Sequence, residues 1–341
     1  MEFLQSFFWS RSLQRTYGYQ PFFLQITDTG NPSAFFSFQV QFPYIKNDSL
    51  KYRVINGVSN LFFKKLVASG GPVIVSDKNA EQIVSSLLAY LDSFSKKHHI
   101  FSINLSPFRY EPNYSKDSGI LNIFEKFGYT KKIWGTYLVD LTQDEDKLWM
   151  SLEHSARKSF KQVQEKGVLI KKINNYAEFI EKYIIPYNRM EKEFGRDVIS
   201  QRFAKKIKNV ANHDKYYHYF YAEFNGNVEA VLGMYVYNRY ATEIMSATSK
   251  YAYENKLYAQ DYLHWKMFKY ARDLGCHTFD LAGVNPNPAN VKEEGIHRFK
   301  KKWGGRYIEY PIFEKDCKGI KKQIVRKIIC IGRKLMMKKL I

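Results

Sequence analysis

The sequence predicts an α+β protein with two domains of similar plan. Its 341 residues exceed the usual length of one domain, and its 45% apolar content suffices for sizeable cores. In each half, short aromatic or aliphatic runs with strand character alternate with longer segments of helical periodicity. We therefore expect each half to contain strands, helices and a helix–strand return.

The first half places helices between strand-like runs. In one segment, Ile83, Leu87 and Leu91 recur at a spacing that brings them to one side of a helix. The predicted strands cover residues 21–26, 34–42, 100–105 and 137–141, and the predicted helices cover 79–97 and 120–127.

The second half repeats this plan after a break near residues 142–146. Asn225-Gly226 lies between two strand-like runs and predicts a tight hairpin. The predicted helices cover residues 144–167, 176–193, 201–211 and 259–274, and the predicted strands cover 168–173, 216–224, 229–237, 240–247 and 278–281.

The charge of the chain is strongly positive and unevenly placed. The formal net charge is +20, and more than half of this excess lies between residues 299 and 341. Such an excess favours polyanionic partners, namely nucleic acid, phosphate-bearing substrates or an anionic membrane surface.

The cysteines and histidines give no sign of a metal or disulfide framework. The three cysteines form no Cys-x-x-Cys pair, and the eight histidines form no His-Glu-x-x-His motif. We therefore expect no metal and no other cofactor. The first residues lack a signal-peptide pattern, and no uncharged stretch is long enough to span a bilayer. These features predict a cytoplasmic protein, which can be peripheral at the inner face of the membrane.

Five motifs follow one another in a specific order. The first four are Leu4-Gln-Ser-Phe-Phe-Trp9, Ser69-Gly-Gly-Pro-Val73, Gly135-Thr-Tyr-Leu-Val-Asp-Leu141, and Ser155-Ala-Arg-Lys-Ser-Phe-Lys161 with Lys166-Gly-Val168. The fifth is a longer stretch made of Leu257-Tyr-Ala-Gln-Asp-Tyr-Leu-His-Trp265, Ala271-Arg-Asp-Leu-Gly275, Phe279-Asp-Leu-Ala-Gly283, Gly295-Ile-His-Arg-Phe-Lys300 and Trp303-Gly-Gly305. Each motif is weak alone. Together they resemble the Fem family of non-ribosomal aminoacyl and peptidyl transferases.

The resemblance implies two tandem GNAT-like (acyl-CoA N-acyltransferase-like) domains, each with a mixed, mostly antiparallel sheet flanked by helices. The implied domains are residues 1–142 and 143–309, with a segment of about 310–341 returning to the first. The stretch 176–216 is too short for the coiled-coil insertion of some members, so the compact form is expected.

The resemblance also implies a function. The expected activity moves an amino acid from aminoacyl-tRNA to an amine of a peptidoglycan-type or related cell-envelope precursor. The expected acceptor is a phosphate-bearing or lipid-linked muropeptide-like molecule, and the expected state is a monomer.

Two other functions remain open at this point. A GNAT-like N-acyltransferase with a different acyl donor would act on an amino sugar or polysaccharide precursor. The stretch 255–260 argues against a CoA donor, because it lacks the glycines that let a helix start approach a pyrophosphate. A non-catalytic nucleic-acid-binding protein would explain the charge alone, but not the ordered motifs.

Lys300 and Phe299 are the catalytic candidates. Aminoacyl transfer develops negative charge on a tetrahedral intermediate, and a lysine near the carbonyl can stabilise that charge. The resemblance places Lys300 at the family's Phe-Lys position, with Phe299 packed beneath it to orient the ammonium. We expect Lys301 and Lys302 to be solvated charges.

Substrate contacts are expected from several other residues. The resemblance places Trp9 and a following basic residue, Arg11 or Arg15, at a phosphate-binding position. A second basic residue is expected from Arg189 or Arg196. Tyr258 and Asp280 complete the substrate-binding candidates.

The proton acceptor remains open in the sequence. Asp280 and Asp261 are candidate bases by position. The resemblance also implies that proton movement can be assisted by the substrate, without a protein base.

The tail from residue 320 to 341 alternates apolar and basic residues at helical spacing and contains no acid. Such a helix can lie at an anionic membrane surface. It can also pack on the first domain or contact tRNA phosphates. All three alternatives remain open.

Overall fold

A computed structural model describes residues 7–28, 31–42, 63–75, 79–106, 119–196, 198–199, 204 and 213–317. Strands and helices alternate in a mixed arrangement, and the predicted α+β class is confirmed. The chain divides into two compact units. The smaller unit contains residues 18–132 and the chain from 311, and the larger unit contains residues up to 17 and 133–310. The predicted domain boundary near residue 142 stays a prediction.

The smaller unit is a mixed sheet with two helices. Its strand order is β1-β2-β3-β5-β12, and β4 pairs with β2. The β3–β5 pair is parallel, while the β1–β2, β2–β3 and β5–β12 pairs are antiparallel. The elements are β1 (Gln20–Asp28), β2 (Asn31–Gln41), β3 (Lys65–Ser69), β4 (Val73–Ile74), α2 (Ala80–Lys97), β5 (Ser102–Ser106), α3 (Ile120–Lys126) and the end of β12 (Arg306–Asp316).

The core of the smaller unit follows from the predicted helical periodicity. Ile83, Leu87 and Leu91 are all buried on α2. Phe124 of α3 stacks on Phe313 of β12, with ring centroids 4.0 Å apart. The apolar side of each helix therefore packs on the sheet, which removes these side chains from water.

The larger unit has the strand order β12-β6-β11-β10-β9-β8-β7. The β10–β11 pair is parallel, and the pairs β6–β11, β9–β10, β8–β9 and β7–β8 are antiparallel. The strands are β6 (Thr130–Asp140, which enters this unit at Ile133), β7 (Leu169–Lys172), β8 (Tyr217–Phe224), β9 (Asn227–Tyr237), β10 (Tyr240–Thr248) and β11 (Thr278–Val284).

The helices of the larger unit flank this sheet. They are α1 (Phe7–Tyr17), α4 (Glu145–Ser151), α5 (His154–Glu165), α6 (Tyr176–Glu178) continuing through a π-helical turn (Phe179–Ile184) into α7 (Ile185–Glu193), α8 (His213–Tyr216), α9 (Lys250–Glu254), α10 (Ala259–Asp273) and α11 (Val291–Lys301). The predicted hairpin is confirmed, because Asn225 and Gly226 both adopt positive φ between β8 and β9.

One predicted helix differs from the structure, and several elements were not among the predictions. The predicted helix 144–167 is two helices, because the chain is extended at Leu152 and Glu153 and the Glu153 amide donates to the Lys302 carbonyl. Helix α11 begins at Val291, before Gly295. Strand β12 and helix α1 were not predicted. The predicted helix 201–211 lies outside the described residues except at Ala204.

Two glycines after α11 allow close backbone contact. Gly304 has a φ of +72°, and a Cβ there would overlap the carbonyl of Ser151 at the end of α4. A Cβ on Gly305 would lie about 3.0 Å from the backbone of Leu138 in β6. These contacts require glycine at both positions and bring α11 close to β6.

We expect Gly304→Ala to lower the free energy of unfolding by about 3 kcal/mol, because the new methyl group adds a backbone clash to an unfavourable φ. Gly226→Ala is the matched control: its φ is +78° and its Cβ would meet open space. This substitution should lower the free energy of unfolding by only about 1 kcal/mol, because it adds backbone strain without a clash. Urea unfolding measures both, and equal losses would contradict the clash.

Candidate active site

The site begins where the parallel pair β10–β11 ends. The ladder joins Tyr240–Thr242 to Thr278–Asp280. Beyond it both strands are irregular, since the register shifts between Ile244 and Ala247 in β10 and between Asp280 and Gly283 in β11. Bulges re-aim the backbone and often lie beside functional sites.

The bulge in β11 directs two carbonyl groups toward Lys300. Ala282 has a φ of +62°. The carboxylate of Asp280, which is fully buried, accepts a hydrogen bond from the Ala282 amide at 2.9 Å, and its Oδ1 lies 2.5 Å from Thr136 Oγ1. The ammonium of Lys300 donates to the carbonyls of Ala282 and Gly283, both at 3.2 Å. The strained bulge therefore fixes the position of the Lys300 amine.

The backbone of β10 is also irregular in the neighbouring part of the site. Met245 has a φ of +49°, and the hydroxyl of Tyr183 donates to the Met245 carbonyl at 2.5 Å. Tyr183 is fully buried, and burial raises its pKa well above the usual value, so the phenol keeps its proton. A buried donor thus stabilises the unusual backbone of β10.

Glu243 and His264 form a buried polar pair beside these bulges. His264 Nε2 lies 3.1 Å from the Glu243 carboxylate, and His264 Nδ1 lies 2.8 Å from the Gln260 carbonyl. The hydroxyl of Ser246 donates to Glu243 at 2.6 Å. Burial by itself raises the pKa of Glu243, but His264, Lys300 and Ser246 together hold it below its usual value. The carboxylate is therefore ionised and attracts Lys300.

Phe299 packs among aromatic and charged groups. Its ring centroid lies 5.1 Å from that of His264, and the Lys302 ammonium lies 4.4 Å from it. Lys302 also pairs with Asp261 of α10 at 2.7 Å, and both side chains are largely buried. The expectation that Lys302 is a solvated charge was wrong, because the turn after α11 directs it inward.

Helix α11, which carries Phe299 and Lys300, is capped by local sequence. The side chain of Asn290 accepts a hydrogen bond from the Glu293 amide at 3.0 Å. The Glu293 carboxylate in turn accepts from the Ala289 amide at 2.9 Å and from Asn285 at 2.8 Å. These bonds satisfy donors at the helix start.

A basic cleft lies between α5 and the start of α10. Its volume is about 920 Å³, and its lining contains four lysines and one glutamate among polar residues. The backbone reverses locally at Lys256 and Tyr258, where φ is +48° and +54°. Lys302 belongs to this cleft and also contacts Phe299. The lining residues are Ser155, Lys158, Ser159, Gln162, Glu165, Lys166, Asn255, Lys256, Tyr258 and Lys302.

The candidate substrate-binding residues Trp9, Arg11 and Arg15 lie on α1. Trp9 packs against the buried cluster that includes Tyr183. Arg11 donates to Gln14 at 2.8 Å and lies over the Phe7 ring, and Arg15 is exposed. Their predicted roles with substrate stay predictions.

The other two predicted arginines bind neighbouring groups. Arg189 donates to the Val228 carbonyl at 2.6 Å, and Arg196 pairs with Glu191 at 2.8 Å. Their roles also stay predictions.

Sequence reasoning missed Glu243, His264 and Ser246. One sequence signal could have indicated His264: Asp261 and His264 are three residues apart, so both lie on the same face of α10. Glu243 offers no local signal, since its contact with His264 joins residues 21 positions apart.

Residues 200–312 match the sequence model of the FemAB family. This segment contains β8 to β11, α10 and α11, and therefore Lys300, Glu243, His264 and both strand bulges. Over these residues the chain is similar to the FemAB family. The resemblance predicted from the motifs is confirmed by this match. No curated protein matches the sequence.

Solved structures share the fold. The crystal structure of FemX aligns with a TM-score of 0.70 at 14% identity, covering 92% of each chain. The C-terminal domain of a putative lysylphosphatidylglycerol synthetase from Agrobacterium fabrum gives 0.55 at 13% identity, covering 92% of this chain and 88% of that one. A tandem GNAT protein from the clavulanic acid biosynthesis pathway gives 0.56 at 10% identity, covering 88% and 84%.

The predicted GNAT-like fold is confirmed by these likenesses. The match to the FemAB family supports a transferase activity at family level. Among the described helices, none has the length and apolar character needed to cross a membrane. Within the same residues, no group of three His, Cys, Asp or Glu side chains is arranged to hold a metal ion.

The Glu243–His264 pair predicts a pH-dependent stability. Because the pKa of Glu243 is lower in the folded state, its carboxylate stabilises the fold above the unfolded value of about 4.3. This contribution is lost as the pH falls through the folded pKa. We expect Glu243→Gln to cost about 3 kcal/mol at pH 7, with the deficit shrinking under acidic conditions.

Urea unfolding at several pH values measures this effect. Glu294→Gln on α11 is the matched control, because Glu294 is exposed. Its stability should follow the wild type at every pH. A Glu243→Gln deficit that stays constant from neutral to acidic pH would show that the ionised carboxylate is not the cause.

Proposed function

We propose that this protein transfers an aminoacyl group from aminoacyl-tRNA to an amine of a peptidoglycan-type or related cell-envelope precursor. The observation that carries this proposal is the placement of the Lys300 ammonium at the point where β10 and β11 separate. The FemAB match covers this region and supports the same class of reaction.

The chemistry requires a fixed positive charge. An amine attacks the ester carbonyl of the donor, and negative charge develops on the carbonyl oxygen. Two backbone carbonyls hold the Lys300 ammonium on one side, and the Glu243 carboxylate attracts it from β10. A preorganised cation at this position stabilises the oxyanion without reorganisation during the reaction.

The basic cleft supports a donor that carries phosphates. Four lysine side chains line it, and hydroxyl and amide groups lie between them. Lysine ammonium groups neutralise phosphates, and this binding is sequence-independent and salt-dependent. Since Lys302 belongs to the cleft and contacts Phe299, a donor bound there would lie beside Phe299, the chain neighbour of Lys300. We therefore assign the cleft to the 3′ end of the tRNA.

The acceptor part of the proposal rests on the family. We propose a phosphate-bearing or lipid-linked muropeptide-like acceptor, with Arg11, Arg15, Arg189 and Arg196 as candidates for its phosphates. We also propose that a cytoplasmic monomer acts here and contacts the inner face of the membrane. The segment 320–341, proposed for that contact, lies outside the described residues.

A second candidate is an N-acyltransferase that uses acetyl-CoA and acts on an amino sugar or polysaccharide precursor. The likeness to a tandem GNAT protein favours it. The two candidate functions differ in the acyl donor that they use, so a test of donors distinguishes them. Purified protein is incubated with charged tRNA or with acetyl-CoA, each with a lipid-linked muropeptide or an amino-sugar acceptor, and product formation is measured.

We expect Lys300→Met to lower the transfer rate by about 100-fold or more, because the oxyanion loses its cation. Lys301→Met is the matched control, since Lys301 is the next residue on α11 and is exposed. The control should keep wild-type activity. If charged tRNA gives no product with any acceptor, or if Lys300→Met retains full activity, the proposal is wrong.

The cleft gives a separate prediction. Lys158→Ala and Lys256→Ala should weaken tRNA binding and reduce its salt dependence, because each removes one phosphate contact. Lys161→Ala, which is exposed on α5 outside the cleft lining, should leave both unchanged. Filter binding with charged and uncharged tRNA at several salt concentrations measures this. If all three substitutions weaken tRNA binding equally, the cleft is not the tRNA-binding site.

A further inference from the structure

His297 lies one helical turn before Lys300 on α11. Residues three apart on a helix are neighbours on its surface. The imidazole is partly exposed, and its Nδ1 lies 2.9 Å from the hydroxyl of Tyr137 in β6. The Tyr307 ring of β12 lies 5.5 Å from the imidazole and 5.2 Å from the Tyr137 ring. Two phenols thus fix the imidazole next to the proposed catalytic amine.

The carboxylates around Lys300 are poorly placed to exchange protons with a substrate. Asp280 is fully buried and holds the β11 bulge. Glu243 is buried and contacts His264 and Ser246. Asp261, 4% exposed, pairs with Lys302. His297, by contrast, is partly exposed and carries an imidazole, the side chain that most often serves as a general base.

We propose that His297 is the proton acceptor that deprotonates the attacking amine, and that Tyr137 is the positioning residue that orients it. This inference rests on the proposed aminoacyl transfer and goes beyond it, because it names a protein base. In the active tautomer, Nδ1–H donates to the Tyr137 oxygen and Nε2 presents its lone pair.

The proton movements balance. Nε2 of His297 takes one proton from the acceptor ammonium. The free amine forms the nitrogen–carbon bond, and Lys300 stabilises the oxyanion. The carbon–oxygen ester bond then breaks, and the ribose oxygen leaves with a second proton from the former amine. Finally the imidazolium releases its proton to water.

The phenols keep their protons during this cycle. Burial, followed by the charge of Glu153, raises the pKa of Tyr137. Burial, followed by Glu309, raises the pKa of Tyr307 to about 12. Because the Tyr137 oxygen accepts from Nδ1–H in both imidazole states, protonation at Nε2 leaves this bond intact.

Charges of both signs surround the imidazole. The titratable and charged groups that face it, act on its partner Tyr137 or lie beside it on its helix are Tyr137 from β6, Glu153 before α5, Tyr307 and Glu309 from β12, and Glu293, Glu294, Arg298, Lys300 and Lys301 from α11.

The kinetic test uses the full chain with charged tRNA and a muropeptide acceptor. We expect wild-type kcat/KM to rise with pH through the range in which imidazoles titrate. His297→Gln should lower it by about 100-fold at neutral pH and abolish that rise. Tyr137→Phe should lower activity but keep the rise. His277→Gln, at an exposed histidine that contacts Arg239, is the matched control and should match wild type.

A second measurement does not depend on turnover. In protein labelled with ¹⁵N-histidine, the signal absent from His297→Gln identifies this residue, and its shifts report the tautomer. We expect protonation at Nδ1 in the neutral form, and a mixture of tautomers in Tyr137→Phe.

The outcomes separate this inference from the proposed function. If wild type is active but His297→Gln keeps its rate and pH dependence, His297 is not the base and the transfer proposal stands. A neutral imidazole protonated at Nε2 also overturns the assignment. If no charged tRNA supports transfer, the proposed function fails, and the tautomer measurement still decides whether His297 is poised to accept a proton.

Discussion

The separation of β10 from β11 is the constraint on which the rest of this site depends. Parallel strands share an even ladder of hydrogen bonds, and here that ladder ends at Thr242 and Asp280. Positive φ at Met245 and Ala282 turns the backbone of both strands away from regular pairing. Such conformations persist only where surrounding groups determine them, and buried Tyr183 and Asp280 supply the required hydrogen bonds.

The opening is stabilised by charge as well as by hydrogen bonds. Ions removed from water are costly unless each has a partner. Glu243 lies between His264 and Ser246 and attracts Lys300, and Lys302 pairs with Asp261. The same contacts that satisfy these buried charges also fix the Lys300 amine. Stability and the proposed catalysis therefore depend on one set of interactions.

The positive charge of the chain has more than one structural role. Lys302 is largely buried and stabilises the contact between α10 and the end of α11. Lys158 and Lys256 line an open cleft that suits phosphates. A net charge of +20 alone does not distinguish these roles, because burial and pairing decide how each cation acts.

The sequence by itself determined the α+β class, most helices and strands, the Asn225-Gly226 hairpin and the resemblance to the FemAB family. These features follow from local periodicity, turn chemistry and short motifs, all of which depend on residues that are close in the sequence. The sequence also singled out Lys300 and Phe299. Only the tertiary structure decided that Glu243 meets His264, that Lys302 turns inward to Asp261 and that His297 meets Tyr137. These contacts join residues 21, 41 and 160 positions apart, and no local pattern encodes such distances. They arise when α10, α11 and the separated strands pack together, because buried polar groups must then find partners.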